Sequence, residues 1–242
     1  MVTRLLRQDQ SARSPDGDRV GTITRSPDEI IAILLSFVIA TAIHECAHAV
    51  TALKLGDTTA RDMGRVTLNP VAHFEPFGFF GMVLISLGFG FIGWGKPCPV
   101  NPSRFKYAFG GRRNLGMAIV ALAGPVSNVL QALIVAVPYQ IALKNDVIIN
   151  PDVRLFIEYF IWVNILLASF NMIPIPPLDG YRILTGILPN FWGPVLQPLE
   201  RYGFMVLFVI FFIGGSIGGS LVGGMINPVQ RSLTDLVFFM IR

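Results

Sequence analysis

The chain has 242 residues, 52% of them hydrophobic and only 14% charged, with a mean hydropathy of +0.60. An ordinary soluble domain is about 25% charged, so this composition excludes a soluble enzyme and makes lipid the solvent for most of the surface. The formal charge is +4 and the isoelectric point about 9.3, but the basic residues flank apolar runs, which suits anionic headgroups and not nucleic acid. Two cysteines, Cys46 and Cys98, form no disulfide framework.

Residues 1–28 are polar, carry Arg4, Arg7, Arg13, Arg19 and Arg25, and lack the apolar core of a cleavable signal. They are expected to be a disordered tail, with the first apolar helix as an uncleaved insertion signal. Ser26-Pro27-Asp28-Glu29 supplies a helix start: a small polar cap, proline in the first turn, then acids at the positive end of the dipole. The apolar stretch from Ile30 to Leu55 is, at ~1.5 Å per residue, long enough to span a bilayer, and Gly56 stops it. A polar loop follows over 57–76. Residues 77–95 are apolar but hold Gly78, Gly81, Gly88, Gly90, Gly93 and Gly95, a poor composition for a straight helix. Lys96-Pro97-Cys98-Pro99-Val100-Asn101-Pro102 then enforces extended backbone, and Arg104, Lys106, Arg112 and Arg113 make the densest basic cluster.

A second span runs from Leu115 to Leu143 and contains Gly124-Pro125-Val126-Ser127-Asn128; a third runs from Leu155 to Met172. The turn Pro174-Ile175-Pro176-Pro177-Leu178-Asp179-Gly180 breaks it. The last apolar stretch, Tyr202 to Met225, carries Gly214/Gly218 and Gly215/Gly219 at a spacing that lets helices pack closely. The expected architecture is an all-α polytopic membrane protein with about four transmembrane helices and a re-entrant or interfacial segment at 77–95. Its parts are a polar tail (1–28), one membrane-embedded core (29–226) and an amphipathic C-terminal tail (227–242) lying on the interface.

The chemistry begins at His44-Glu45-Cys46-Ala47-His48. Residues at i and i+4 project from one helical face, so both imidazoles can hold one metal ion, with Glu45 near enough to take a proton from water there. A charged group costs ~2.5–3.5 kcal/mol at the bilayer centre, so such groups are retained mainly for function or internal pairing. A catalytic zinc needs a third protein ligand and an open position. The candidates are His73 and carboxylates at membrane depth, among which Asp179 stands out in its rigid proline turn. Cys46 points to the far side of the helix and is not a ligand. Chain parity bears on the choice: with spans at 115–143 and 155–172, Asp179 reaches the histidine side only if 77–95 does not cross. Non-helical backbone at that depth needs a covering of protein or a watery cavity.

These residues resemble the site-2 protease family of intramembrane zinc metalloproteases, in a short form without inserted sensing domains. His44–His48 resembles the family's first motif, and Asn171-Met172-Ile173-Pro174-Ile175-Pro176-Pro177-Leu178-Asp179-Gly180 its second. Leu68-Asn69-Pro70 through His73 to Pro76-Phe77-Gly78, then Trp94-Gly95-Lys96-Pro97, resembles the connecting region. Gly124-Pro125-Val126-Ser127-Asn128 resembles its glycine-proline-asparagine helix motif. The resemblance covers roughly residues 29–190. It implies one catalytic Zn2+ held by His44, His48 and Asp179, Glu45 as general base, and cleavage of a membrane-spanning protein or peptide. It also implies a multi-pass protein of the cell (inner) membrane whose active site faces the cytosol. That orientation leaves ten Lys/Arg in cytosolic segments and nine outside, so charge bias is nearly silent. Asn128 and Asn171 are expected to hydrogen-bond the substrate backbone, or else to bond between helices. The rival classes are a membrane metal-ion transporter, which would need polar groups along a through-path, and a non-catalytic membrane adaptor.

Overall fold

In the computed structural model, which describes residues 25–88, 93–106, 113–212 and 218–239, the chain is helical with no strand among those residues. Helix α1 (Pro27–Lys54) starts at a capping box in which Ser26 Oγ accepts from Glu29 N–H and Glu29 Oε2 accepts from Ser26 N–H. One face of α1 buries Ile33, Phe37, Ala40, His44, His48 and Ala52, whereas Ile31, Leu35 and Ile39 are exposed. An outward apolar stripe on a long helix is what lipid contact requires.

Two short helices, α2 (Thr59–Asp62) and α3 (Pro70–His73), precede α4 (Pro76–Ser86). α4 has 11 residues and is therefore about 16 Å long, far short of a hydrocarbon core of ~30 Å. The Arg25 guanidinium donates to the Ile85 carbonyl at 2.7 Å, placing the far end of α4 beside the start of α1. The Lys96 N–H donates to the His73 carbonyl at 2.9 Å, so chain that leaves at 73 has returned by 96. The two ends of the 77–95 segment thus lie on one side, in keeping with a re-entrant or interfacial segment.

Helix α5 (Arg113–Lys144) runs antiparallel to α1, and α6 (Pro151–Asn171) runs back parallel to it. The pairings set the directions: Gln131 meets the Ala40 carbonyl, Asn128 meets His44, and the Val120 carbonyl meets His48. Tyr159 on α6 donates to Glu29 Oε1 at 3.0 Å. Ile33, Phe37, Ala40, Met82, Tyr159 and Val163 form one core cluster, while Ala132, Ala136, Ile161 and Ile165 close the α5–α6 seam. Alanines there let the backbones approach.

Among the described residues, α1, α5 and α6 are long and apolar enough to cross a membrane. The expected fourth span, 202–225, is described in two parts, the end of α8 (Gly193–Phe212) and the start of α9 (Gly218–Phe239). Gly214 and Gly215, like the polar tail at 1–24 and the last residues 240–242, lie outside the described residues. The segment from Asn227 to Phe239 continues α9, and Val237 is fully buried against the α5–α6 seam. Between α6 and α8 sits α7 (Asp179–Ile187), which packs on α5.

A strap of extended chain, 96–101, is fastened over the C-terminal half of α1. Asp57 is fully buried, and its carboxylate accepts from Thr59 N–H (3.0 Å), Thr59 Oγ (2.5 Å) and Asn101 N–H (2.6 Å). Arg65 donates to the Lys96 and Pro97 carbonyls. Asp57→Ala leaves three donors without that acceptor, an expected loss of about 2–3 kcal/mol. Thermal or denaturant unfolding in detergent checks this, and an unchanged midpoint would remove Asp57 from the strap's fastening.

Candidate metal centre and active site

The protonation of both histidines follows from backbone carbonyls, which can only accept. Asn164 Nδ2 donates to the Phe160 carbonyl at 2.9 Å, so Asn164 Oδ1 accepts from Asn128 Nδ2 at 2.9 Å. Asn128 Oδ1 is then the acceptor for His44 Nδ1 at 2.6 Å. His48 Nδ1 donates directly to the Val120 carbonyl at 2.7 Å. Each imidazole therefore spends its proton on Nδ1 and presents a bare Nε2.

The two Nε2 atoms lie 3.0 Å apart, and Asp179 Oδ2 lies 3.2 Å from one and 3.3 Å from the other. Asp179 Oδ2 is buried and has no hydrogen-bond donor. Three electron-pair acceptors facing one another repel unless a proton or a metal ion lies between them, and these three residues form a group that could hold a metal ion. Tetrahedral zinc at ~2.0–2.1 Å from each ligand spaces its donors about 3.3 Å apart, close to the spacing here.

Two glycines make this arrangement possible. A methyl at Gly124 would lie 2.5 Å from His44 Cε1, His48 Cε1 and His48 Nε2. A methyl at Gly180 would lie 2.5 Å from the Ile173 carbonyl oxygen, so glycine lets the Asp179 turn close on the end of α6. Ile173 and Leu178 of that turn pack with Leu207 of α8 and Ile226 of α9.

Glu45, next to the cluster, is buried, and its Oε2 accepts from Cys98 N–H at 2.8 Å. Between Pro97 and Pro99, Cys98 has the only N–H, and the Glu45 carboxylate takes it. The Lys96 and Pro97 carbonyls are already used by Arg65, so little of the strap is free to pair with another strand. Burial and then the Glu45 charge push the Cys98 thiol up to about 12; it stays protonated and is neither a thiolate ligand nor a nucleophile. A cavity of about 370 Å³ opens beside these groups, with His44, Glu45, His48, Asn171, Asp179 and Arg182 among its lining.

In the comparisons with known proteins, the profile of Peptidase family M50 matches residues 135–214. The Bacillus subtilis (strain 168) relative YwhC, whose name assigns it provisionally to the zinc metalloproteases, is 35% identical over 183 residues, covering 74% of this chain and 79% of the relative. The chain belongs to Peptidase family M50, the site-2 protease family. Rip2 of Mycolicibacterium smegmatis, named in the same provisional way, is 26% identical over 183 residues, with 74% of this chain and 66% of the relative covered. Rip2 of Mycobacterium tuberculosis is 25% identical over 181 residues, with 75% and 66% covered. No solved structure matches.

The M50 chain is an intramembrane zinc metalloprotease and an integral membrane protein, and its His44, His48 and Asp179 form a group able to hold one metal ion. His73, the other candidate for the third ligand, stands outside that group; it is buried, and its Nε2 donates to the Thr67 carbonyl at 2.8 Å. Asn171 lines the cavity, with Nδ2 on the Leu167 carbonyl at 3.0 Å. Asn128 is fully buried, does not line the cavity, and commits its amide to His44 and Asn164. Sequence reasoning alone does not single out Asn164, Asp57 or Arg65. Asn164 carries a usable signal, an amide in the middle of an apolar span; the other two become visible only through contacts 31 to 44 residues away.

Proposed function

We propose that the M50 chain hydrolyses a peptide bond within a membrane-spanning substrate, with a single zinc held by His44, His48 and Asp179 and with Glu45 as general base. The observation that carries this reading is the triad of bare acceptors, Nε2, Nε2 and Oδ2, converging beside a carboxylate that is not a ligand. A bound zinc would supply Lewis acidity, bringing the pKa of water to ~7 and polarising the scissile carbonyl. Glu45 takes a proton from water on the oxygen that Cys98 leaves free, then delivers it to the leaving amide nitrogen. The Cys98 N–H fixes the carboxylate so that it need not reorganise during transfer. Asn128 acts through His44, holding the ring and its tautomer, while Asn171 remains placed to bond the substrate backbone.

A substrate helix holds its carbonyls in i→i−4 hydrogen bonds, so the scissile segment has to unwind locally before its carbonyl is open to attack in the cavity of about 370 Å³. In our reading the protein sits in the cell (inner) membrane with this cavity facing the cytosol.

Asp179→Asn tests the ligand set. Its neutral amide is expected to weaken zinc binding by at least ~100-fold, beyond what loss of a supporting residue causes. Zinc content by elemental analysis, after equilibration with a competing chelator, measures it. One zinc retained per chain would take Asp179 out of the site.

A further inference from the structure

Beside the active-site cavity lies a second, small void of about 20 Å³, and Phe37, Thr41, Trp94 and Gly95 form a wall common to both. Two residues that line this void each carry an orphaned polar atom. Thr41 Oγ belongs to a side chain more than nine-tenths buried and has no partner, although a helical threonine normally bonds back to the preceding turn. His73 is 2% exposed; its Nε2–H is given to the Thr67 carbonyl, so its Nδ1 is a bare acceptor, and it too has no partner. Glu75 and Trp94 bring further polar groups to the lining, and Glu75 Oε2 accepts from Gly78 N–H.

Buried polar groups are almost always paired, with protein or with ordered water. Here one orphan donates and the other accepts, and the pocket that both residues line has room for about one water. Thr41 is also one turn before Glu45, on the same face of α1. A methyl at Gly95 would press on Thr41 and come within 3.8 Å of Glu45 Cγ, so the missing side chain leaves the wall thin where the two cavities meet.

We propose that this void is a single-water site, with the water accepting from Thr41 Oγ–H and donating to His73 Nδ1, and that it resupplies the active site past Thr41. The inference rests on the hydrolytic reading above, since each turnover consumes one water as the C–N bond breaks. His73 thereby gains a role without being a ligand: it positions water, as does Thr41.

The test uses the full chain in liposomes with a single-span reporter peptide as the probe. Wild type and Glu45→Gln set the scale; a failure of that pair would overturn the protease reading itself. Thr41→Val keeps the shape and loses the hydroxyl. His73→Gln keeps a donor for the Thr67 carbonyl and loses the Nδ1 acceptor. Each is expected to lower kcat by about five- to tenfold, the worth of roughly one hydrogen bond, with KM and zinc content unchanged. Thr41→Ser should restore the rate, and the double variant should be no slower than either single one. A wild-type kcat for Thr41→Val, or losses that multiply in the double variant, would overturn the shared water while leaving the protease reading intact.

Discussion

Glu45→Gln is expected to leave the protein folded and fully zinc-loaded while lowering peptide-bond cleavage by ~10²–10⁴-fold, the usual worth of a general base. The substitution is nearly isosteric, and a glutamine oxygen can still accept the Cys98 N–H that Glu45 Oε2 takes at 2.8 Å. The strap over α1 therefore stays fastened. None of His44, His48 or Asp179 touches the replaced group as a ligand partner, and their mutual spacing of 3.0–3.3 Å does not depend on it. What disappears is the second carboxylate oxygen's ability to take a proton. Zinc stoichiometry and cleavage of a reporter peptide, measured on the same preparation, separate the two effects. Cleavage at the wild-type rate would end the general-base assignment, and loss of zinc would show that Glu45 belongs to the ligand set instead.

The metal site is largely legible in the amino-acid sequence because its two halves are local. His44 and His48 share a face through helical periodicity alone, and Asp179 sits in a proline-rich turn whose place follows from counting spans. That count requires 77–95 not to cross, and the hydrogen bond from Lys96 to His73 shows the chain returning where it left. The supporting atoms are not legible in the same way. Cys98 contributes a backbone N–H, and Val120 a backbone carbonyl, neither of which depends on residue type. Asn164 fixes the tautomer of His44 through Asn128, two helices away.

Gly124→Ala should unmake the metal site without unfolding the protein. The added methyl lies 2.5 Å from carbon or nitrogen atoms of both imidazoles, well inside van der Waals contact. Imidazoles on a free surface could swing aside cheaply. These cannot, because His44 Nδ1 is tied to Asn128 and His48 Nδ1 to the Val120 carbonyl one turn before the substitution. Moving either ring breaks one of those bonds and leaves a buried donor or acceptor unpaired, at ~1–3 kcal/mol each. The global fold rests elsewhere, on the Ile33–Phe37–Val163 and Ala132–Ile165 clusters, and alanine favours a helix by up to ~1 kcal/mol over glycine. Zinc affinity is therefore expected to fall by about 10–100-fold, the range seen when the support of a metal ligand is disturbed. Helix content by circular dichroism should be unchanged. Chelator competition reads the affinity directly, and wild-type binding by Gly124→Ala would mean that the rings have room to move that their hydrogen bonds deny.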